Sequence, residues 1–378
     1  LPSLLGMLIT GILLGPYVWN LLDDSILGIS ADLRQLALII ILTRAGLSLN
    51  LEDLKKVGWP AVLMCFVPAC FEILGMVVLA PILLHISILD AAIMGAVVAA
   101  VSPAVIVPKM LRLMEEGYGT RESIPQLIMA GASVDDVFVI VMFSSFTGLA
   151  QGGEISPVTF VQIPISIITG IITGMAVGMA FGELYRRVHV RDSIKVVVLL
   201  SLSFLLIALE NGVKGQIPFS GLLAVMSCGI AVKLRRPEVA ERLSAKYSKL
   251  WITAEILLFV LVGATVDIKY ALASGVSAIL VILGALVFRM IGVFVCLLKT
   301  KLALKERLFC MIAYMPKATV QAAIGSIPLT MGLSCGHVVL TVAVLAILIT
   351  APLGAFAIDM TYHKLLKREP ETTENQTM

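Results

Sequence analysis

An all-α polytopic membrane protein is the fold class this sequence predicts, and three observations predict it. The first is composition: 59% of the 378 residues are hydrophobic and 14% charged, whereas soluble domains carry about 25% charged residues. So few charges cannot coat a water-facing surface, which leaves the lipid bilayer as the solvent. The second is the recurrence of apolar runs, each about 17–25 residues, long enough to cross a bilayer. The third is the placement of Lys and Arg, which crowd into every second connection between those runs. The connections are short, so a single membrane domain is expected, not an enzyme, with no cofactor and no nucleic-acid partner.

In chain order the runs fall at 1–20, 33–50, 58–84, 90–110, 123–150, 158–185, 194–210, 217–234, 248–267, 273–298, 307–332 and 336–362. Residues 363–378, closing on "REPETTENQTM", are too polar to join them and read as a disordered tail. Of the 28 lysines and arginines, only Arg34, Lys214 and Lys269 fall in the opposite set of loops. Arg44, Arg289 and Lys317 fall inside runs. That bias puts the basic loops and the C-terminus in the cytoplasm, with the cell membrane as the expected location. The chain opens on Leu with neither a basic leader nor a cleavage site, so a trimmed start with at least one helix upstream is expected. The six cysteines share no ligand spacing and read as small packing residues.

Laid against itself at an offset of about 217 residues, the chain matches weakly but consistently. "GLSLNL" (46–51) falls on "GATVDI" (263–268), and "PSLLGMLITGI" (2–12) resembles "PFSGLLAVMSCGI" (218–230). "SPAVI" (102–106) falls on "TVQAAI" from Thr319, and Glu72 falls on Arg289. Runs one to five therefore correspond to runs eight to twelve. A shift of seven runs is odd, so the second copy is inverted. The expected domain, 1–362, divides into repeat one (1–150), linker helices (158–210) and repeat two (217–362). Inverted repeats are the architecture of secondary transporters, with sites near the midplane on discontinuous helices. The breaks are visible: Ser102-Pro103 in "GAVVAAVSPAVIVPKML", and Pro316 in "MIAYMPKATVQAAIGSIPL", beside the Thr319 hydroxyl and the Gln321 amide. A mid-helix proline removes a backbone hydrogen bond. The groups it frees persist in a membrane only where protein or a water-filled cavity satisfies them.

The fifth run holds adjacent carboxylates, Asp135 and Asp136, at its middle. One ionised carboxylate there is unfavourable by roughly 2.5–3.5 kcal/mol on the gentlest scale. Neighbouring helix positions are about 100° apart, so one carboxylate can face a cavity and the other a neighbouring helix. Where desolvation, repulsion and a nearby cation balance, a carboxylate can trade a proton for a small hard cation near physiological pH. Na⁺ or Li⁺ would be held with help from Ser102 and Ser133, and competition for one site couples two opposing fluxes. Lys317, beside the second break, would either pair with an aspartate and release it when sodium arrives, or neutralise the site throughout. Glu72 and Arg289 would meet near the midplane as a clamp or a gate. Gly170, Gly174, Gly178 and Gly182 form a small-residue stripe for close helix packing, within one subunit or at a dimer seam. Two other chemistries fit the same architecture. Sodium-coupled symport of an organic anion would need a larger pocket and donors for a carboxylate. K⁺/H⁺ exchange would need only a different ion preference.

"SVDDV" following "AVSPAVIVPKML", together with "MPKATVQAAIGS", resembles the monovalent cation:proton antiporter superfamily, most closely its NHA branch of sodium/proton exchangers. The likeness runs from "LLGMLITGILLGP" to the last run, and the three blocks at these separations are highly specific. The resemblance implies a homodimer with a dimerisation domain and a mobile core transport domain. It implies two crossed, broken helices in that core, and elevator-like alternating access. By motif the ion-binding pair falls on Asp135 and Asp136, the core lysine on Lys317, and the Glu–Arg pair on Glu72 and Arg289. It also implies electroneutral exchange.

Overall fold

The computed structural model describes residues 3–48, 58–151, 157–188, 190–213, 217–266 and 268–368, without the side chains of Ser3, Ser133, Val137, Ile167, 157–164 and 268–274. Within them the chain is helical: α1 (Ser3–Leu14), α2 (Asp24–Gly28), α3 (Ser30–Ser48), α4 (Trp59–Met64), α5 (Val67–Leu84), α6 (Ile88–Val98), α7 (Pro103–Glu115), α8 (Ile124–Gln151), α9 (Pro157–Arg187), α10 (Asp192–Val213), α11 (Gly221–Arg235), α12 (Pro237–Ala264), α13 (Ile268–Leu297), α14 (Leu304–Ala313), α15 (Thr319–Ile324), α16 (Ile327–Thr330) and α17 (Gly336–Leu365).

Helix occupies every apolar run, singly or as the broken sets α4–α5, α6–α7 and α14–α16. Among the described residues, 8 helical stretches are long and apolar enough to cross a membrane. α1, α3, α11 and α14–α16 lie outside that count. Two boundaries differ instructively from the sequence reading. The run expected at 248–267 belongs to a helix that begins at Pro237. A proline in the first turn followed by "EVAERLSAK" is good helix sequence, so the basic connection is itself helical. The run at 58–84 is two helices, because the chain turns at Cys65 and Phe66 before Pro68 enters the first turn of α5.

Close helix approaches are built on glycine, and four of them form two matched pairs. A Cβ placed on Gly46 (α3) would lie 2.3 Å from the Met226 carbonyl oxygen of α11 and against Gly229 and Ile230. One placed on Gly263 (α12) would lie 2.3 Å from the Leu8 carbonyl oxygen of α1 and against Gly11 and Ile12. Likewise Gly75 (α5) sits under Phe288 of α13, and Gly292 (α13) sits under Phe71 of α5. The glycine stripe of α9 packs inside the chain: Gly170, Gly174 and Gly178 lie against the carbonyls of Ser220, Ala224 and Cys228 around α11. Backbones that touch this closely gain dispersion and weak polar contacts that lipid cannot supply.

The buried apolar side chains form two clusters. The smaller gathers Met64, Ile106, Met110, Phe309 and Tyr314 toward the end that carries the basic connections. At that end the chain after α17 is tied down: Gly119 N donates to the Lys367 carbonyl at 2.9 Å, and Tyr118 bridges to Arg368. Residues 363–368, expected as the start of a disordered tail, thus form the last turn of α17 and this bridge, while 369–378 lie outside the described residues. Cys70 is exposed and the other five cysteines are buried.

Candidate functional site

Both helix breaks are real and they touch. α6 ends at Val98 and α7 begins at Pro103, the first-turn position where a missing N–H costs nothing. The residues between leave backbone groups that other parts of the chain satisfy. The Gln321 amide donates to the carbonyls of Val98 (3.1 Å) and Ala100 (2.8 Å). Arg289 donates to the carbonyl of Ala99, and Val101 N donates to Asp135 Oδ2 at 2.9 Å. Ser102 N donates to the Pro316 carbonyl at 2.8 Å, joining one break to the other. In the second break, Lys317 N donates to Thr350 Oγ1 at 3.0 Å. Pro316 lies against Gly354 of α17, where any Cβ would stand 2.6 Å from its ring.

Around the breaks lies a cluster of buried charge. Arg289 of α13 donates to Glu72 of α5 and to Asp135 of α8, each at 2.9 Å, and through Nε to the Tyr314 carbonyl at 2.8 Å. Lys317 Nζ lies 2.7 Å from Glu72. Glu72, Asp135, Arg289 and Lys317 are all closed to solvent. Such a cluster is tolerable because each charge has an opposite partner and a fixed hydrogen bond. Lys317 therefore pairs with Glu72, not with an aspartate, and one arginine joins Glu72 to Asp135. The Glu72–Arg289 contact crosses the α5–α13 interface that carries the matched Gly75/Phe288 and Gly292/Phe71 pairs.

Asp136 is placed differently from its neighbour. It makes no hydrogen bond or ion pair with any described residue, and its Oδ1 is buried without a partner. It lines a narrow cavity of about 20 Å³ with Leu38, Ile41, Thr319 and Val320. A single water-sized occupant needs about 10–15 Å³. Leu38 and Ala323 also line a wider cavity of about 690 Å³ between the start of α3 and the ends of α8 and α10. Asp32, Arg34, Gln151, Asn211 and Ser220 stand in its wall, at the end opposite the basic connections. Ser102 Oγ, Asp135 Oδ1 and Gln321 Oε1 are also buried without hydrogen-bond partners among the described residues. Buried polar atoms are seldom left so, and unpaired oxygens of this kind suit a small hard cation.

The structure thus gathers Asp135, Asp136, Ser102, Pro103, Lys317, Thr319, Gln321, Glu72 and Arg289 at the two breaks. The side chain of Ser133 lies outside the described residues. Sequence reasoning missed Tyr314, Thr350 and the Val101 amide. The first two carried a faint signal, an aromatic ring two residues from Pro316 and a hydroxyl within an apolar run; the third carried none. Arg44 of α3 lies within electrostatic reach of Glu255 of α12.

Comparison with known proteins places this geometry in a family. The model of the sodium/hydrogen exchanger transmembrane family matches residues 1–362. Sodium/hydrogen exchanger 9B2 of Mus musculus is 34% identical over 391 residues, covering 100% of this chain and 70% of that protein. Sodium/hydrogen exchanger 9B1 of Homo sapiens is 31% identical over 392 residues, covering 97% of this chain and 73% of that protein. The solved structure of the sodium proton antiporter MjNhaP1 from Methanocaldococcus jannaschii at pH 8 aligns with a TM-score of 0.83, over 97% of this chain and 92% of that one. Its 20% identity makes that a likeness of fold. The chain belongs to the sodium/hydrogen exchanger family, a family of membrane transporters.

Proposed function

We propose that this chain exchanges Na⁺ (or Li⁺) for H⁺ across the cell membrane, one ion at a time, at Asp136. A charge count carries the reading. Glu72 and Asp135 are matched by Arg289 and Lys317 through bonds of 2.7 and 2.9 Å. Asp136 is the fifth charged group, and it has no cation within ion-pair distance among the described residues. A buried carboxylate left uncovered is too unfavourable to persist. Asp136 therefore takes up a proton or a small cation, and one excludes the other. Asp135 Oδ1, Ser102 Oγ and the Thr319 hydroxyl supply further oxygens, with Ser133 a fourth candidate. The covered site crosses the membrane neutral and the bare one does not cross, which couples the fluxes and makes the exchange electroneutral.

Access alternates because the two repeats exchange conformations. The matched contacts at Gly46 and Gly263, and at Gly75 and Gly292, support that inverted relation. Leu38 and Ala323, shared by the two cavities, support a path from Asp136 to the wide cavity at the end opposite the basic connections, which the charge bias puts outside the cytoplasm. The broken helices form the core that moves, elevator-fashion, against a dimerisation domain in a homodimer. K⁺ in place of Na⁺ stays within the same chemistry. One observation favours a second reading: the 690 Å³ cavity with Arg34 in its wall would suit a sodium-coupled organic-anion symporter, for which anion uptake would proceed without proton movement.

Purified protein in proteoliposomes with an imposed pH gradient tests the main reading. External Na⁺ or Li⁺ is expected to collapse the gradient, and Asp136→Asn to abolish that response. Exchange of wild-type rate in Asp136→Asn would refute it.

A further inference from the structure

Tyr314, at the end of α14, has no part in the ion chemistry above, yet its surroundings are constrained from three sides. The residue is closed to solvent. Its ring lies beside the guanidinium of Arg289, 5.4 Å from centroid to Cζ, a cation–π distance. Its carbonyl accepts the Arg289 Nε hydrogen bond at 2.8 Å. Its hydroxyl, by contrast, makes no hydrogen bond with any described residue, which is unfavourable for a buried polar group. The hydroxyl fills the space above Gly131 of α8 instead. A Cβ at 131 would stand 2.0 Å from Tyr314 Oη, 2.9 Å from Met64 Cβ and 3.3 Å from Tyr314 Cζ. Gly131 has no positive φ, and glycine weakens a helix interior. Space for the tyrosine is therefore what a glycine supplies there, one helical turn before Asp135.

We infer that Tyr314 is a positioning residue for Arg289 and that Gly131 is its socket. The ring seated against α8 holds the guanidinium on Asp135 and fixes the spacing between the second break and the helix that carries both aspartates. The other groups on Arg289 are Glu72, Asp135 and the Ala99 carbonyl. They hold its outer nitrogens, and Tyr314 alone receives Nε. The inference rests on the exchange reading above, since it says how that site is held in register.

Four variants test it, read by the apparent KM for sodium and maximal rate in proteoliposomes and by melting temperature in detergent. Tyr314→Phe keeps the ring and loses only the unpartnered hydroxyl, so KM and rate stay within about twofold of wild type. In Gly131→Ala the new methyl and Oη cannot coexist. The ring must shift by about 1 Å, a displacement that costs on the order of 100-fold in rate at a preorganised site, and KM rises at least fivefold. Adding Tyr314→Phe to Gly131→Ala removes the most severe collision, leaving only the tight approach to Met64 Cβ at 2.9 Å, and recovers at least a tenth of the wild-type rate. Tyr314→Leu keeps the carbonyl but loses the ring, and raises KM like Gly131→Ala. A wild-type KM in Gly131→Ala, or a double variant no better than Gly131→Ala alone, would overturn the proposal. If Gly131→Ala does not fold, the contrast between Tyr314→Phe and Tyr314→Leu decides, and equal damage from both overturns it. The melting temperatures of the Gly131/Tyr314 cycle do not depend on transport. Coupling there in a protein that exchanges nothing would sink the exchange reading and leave the socket standing. Exchange without coupling would do the reverse.

Discussion

Glu72→Gln is the substitution that most directly probes the charge count. Glu72 is fully buried and holds both cations of the site, Lys317 at 2.7 Å and Arg289 at 2.9 Å. Neutralising it leaves Lys317 without a carboxylate, and breaking a buried pair by removing one partner costs about 3–5 kcal/mol. Two consequences follow together. The melting temperature of the purified protein falls. The site also becomes neutral with Asp136 ionised and empty, since Arg289 and Lys317 now balance Asp135 and Asp136, so no covering ion is required. In the wild type, sodium at 100 times its dissociation constant stabilises the folded protein by about 2.7 kcal/mol. In Glu72→Gln that increment vanishes and exchange is lost. Adding Lys317→Met removes the stranded cation and restores a single uncovered carboxylate, so most of the stability and the sodium-dependent increment return. A thermal-shift titration with NaCl against an equal concentration of choline chloride measures both. Full sodium stabilisation in Glu72→Gln, or a double variant no more stable than the single, would refute the count.

Two further outcomes follow from the same structure. A sodium concentration jump on a solid-supported membrane is expected to give no transport current, because the balanced cluster leaves one charge to be covered by one ion; a sustained current would mean that Lys317 or Arg289 changes charge during the cycle. Gly174→Leu drives a side chain into the Ala224 carbonyl, where even a Cβ would stand 2.1 Å away; the α9–α11 contact opens and the melting temperature drops by several degrees, while an unchanged value would show that this face is not tightly packed.

What the sequence made legible is what local chemistry dictates. Pro103 and Pro316 cannot donate backbone hydrogen bonds, and with polar residues close by in otherwise apolar runs they mark the breaks, whereas Pro81, Pro108 and Pro352 sit inside helices that continue. Asp135 and Asp136 stand out because hydrocarbon makes them costly wherever α8 is placed. The offset that sets Glu72 over Arg289 needs only the chain's match against itself, and the two are 2.9 Å apart. Illegible were the contacts decided by the packing of elements far apart in sequence. Lys317 stands beside a break near two aspartates, and nothing local says that Glu72 of α5 takes it instead. Gln321 reads as one more polar group, yet its amide satisfies two carbonyls of the other break. Which of the two aspartates in "VDD" faces the cavity is likewise undecided locally. Rotation of about 100° per residue gives one of them to Arg289 and leaves the other facing the cavity, and only the position of α13 decides which. Under the proposed exchange that asymmetry is the functional point: an acidic pair in which both members were matched would hold no transportable charge, and one in which neither was matched would hold two.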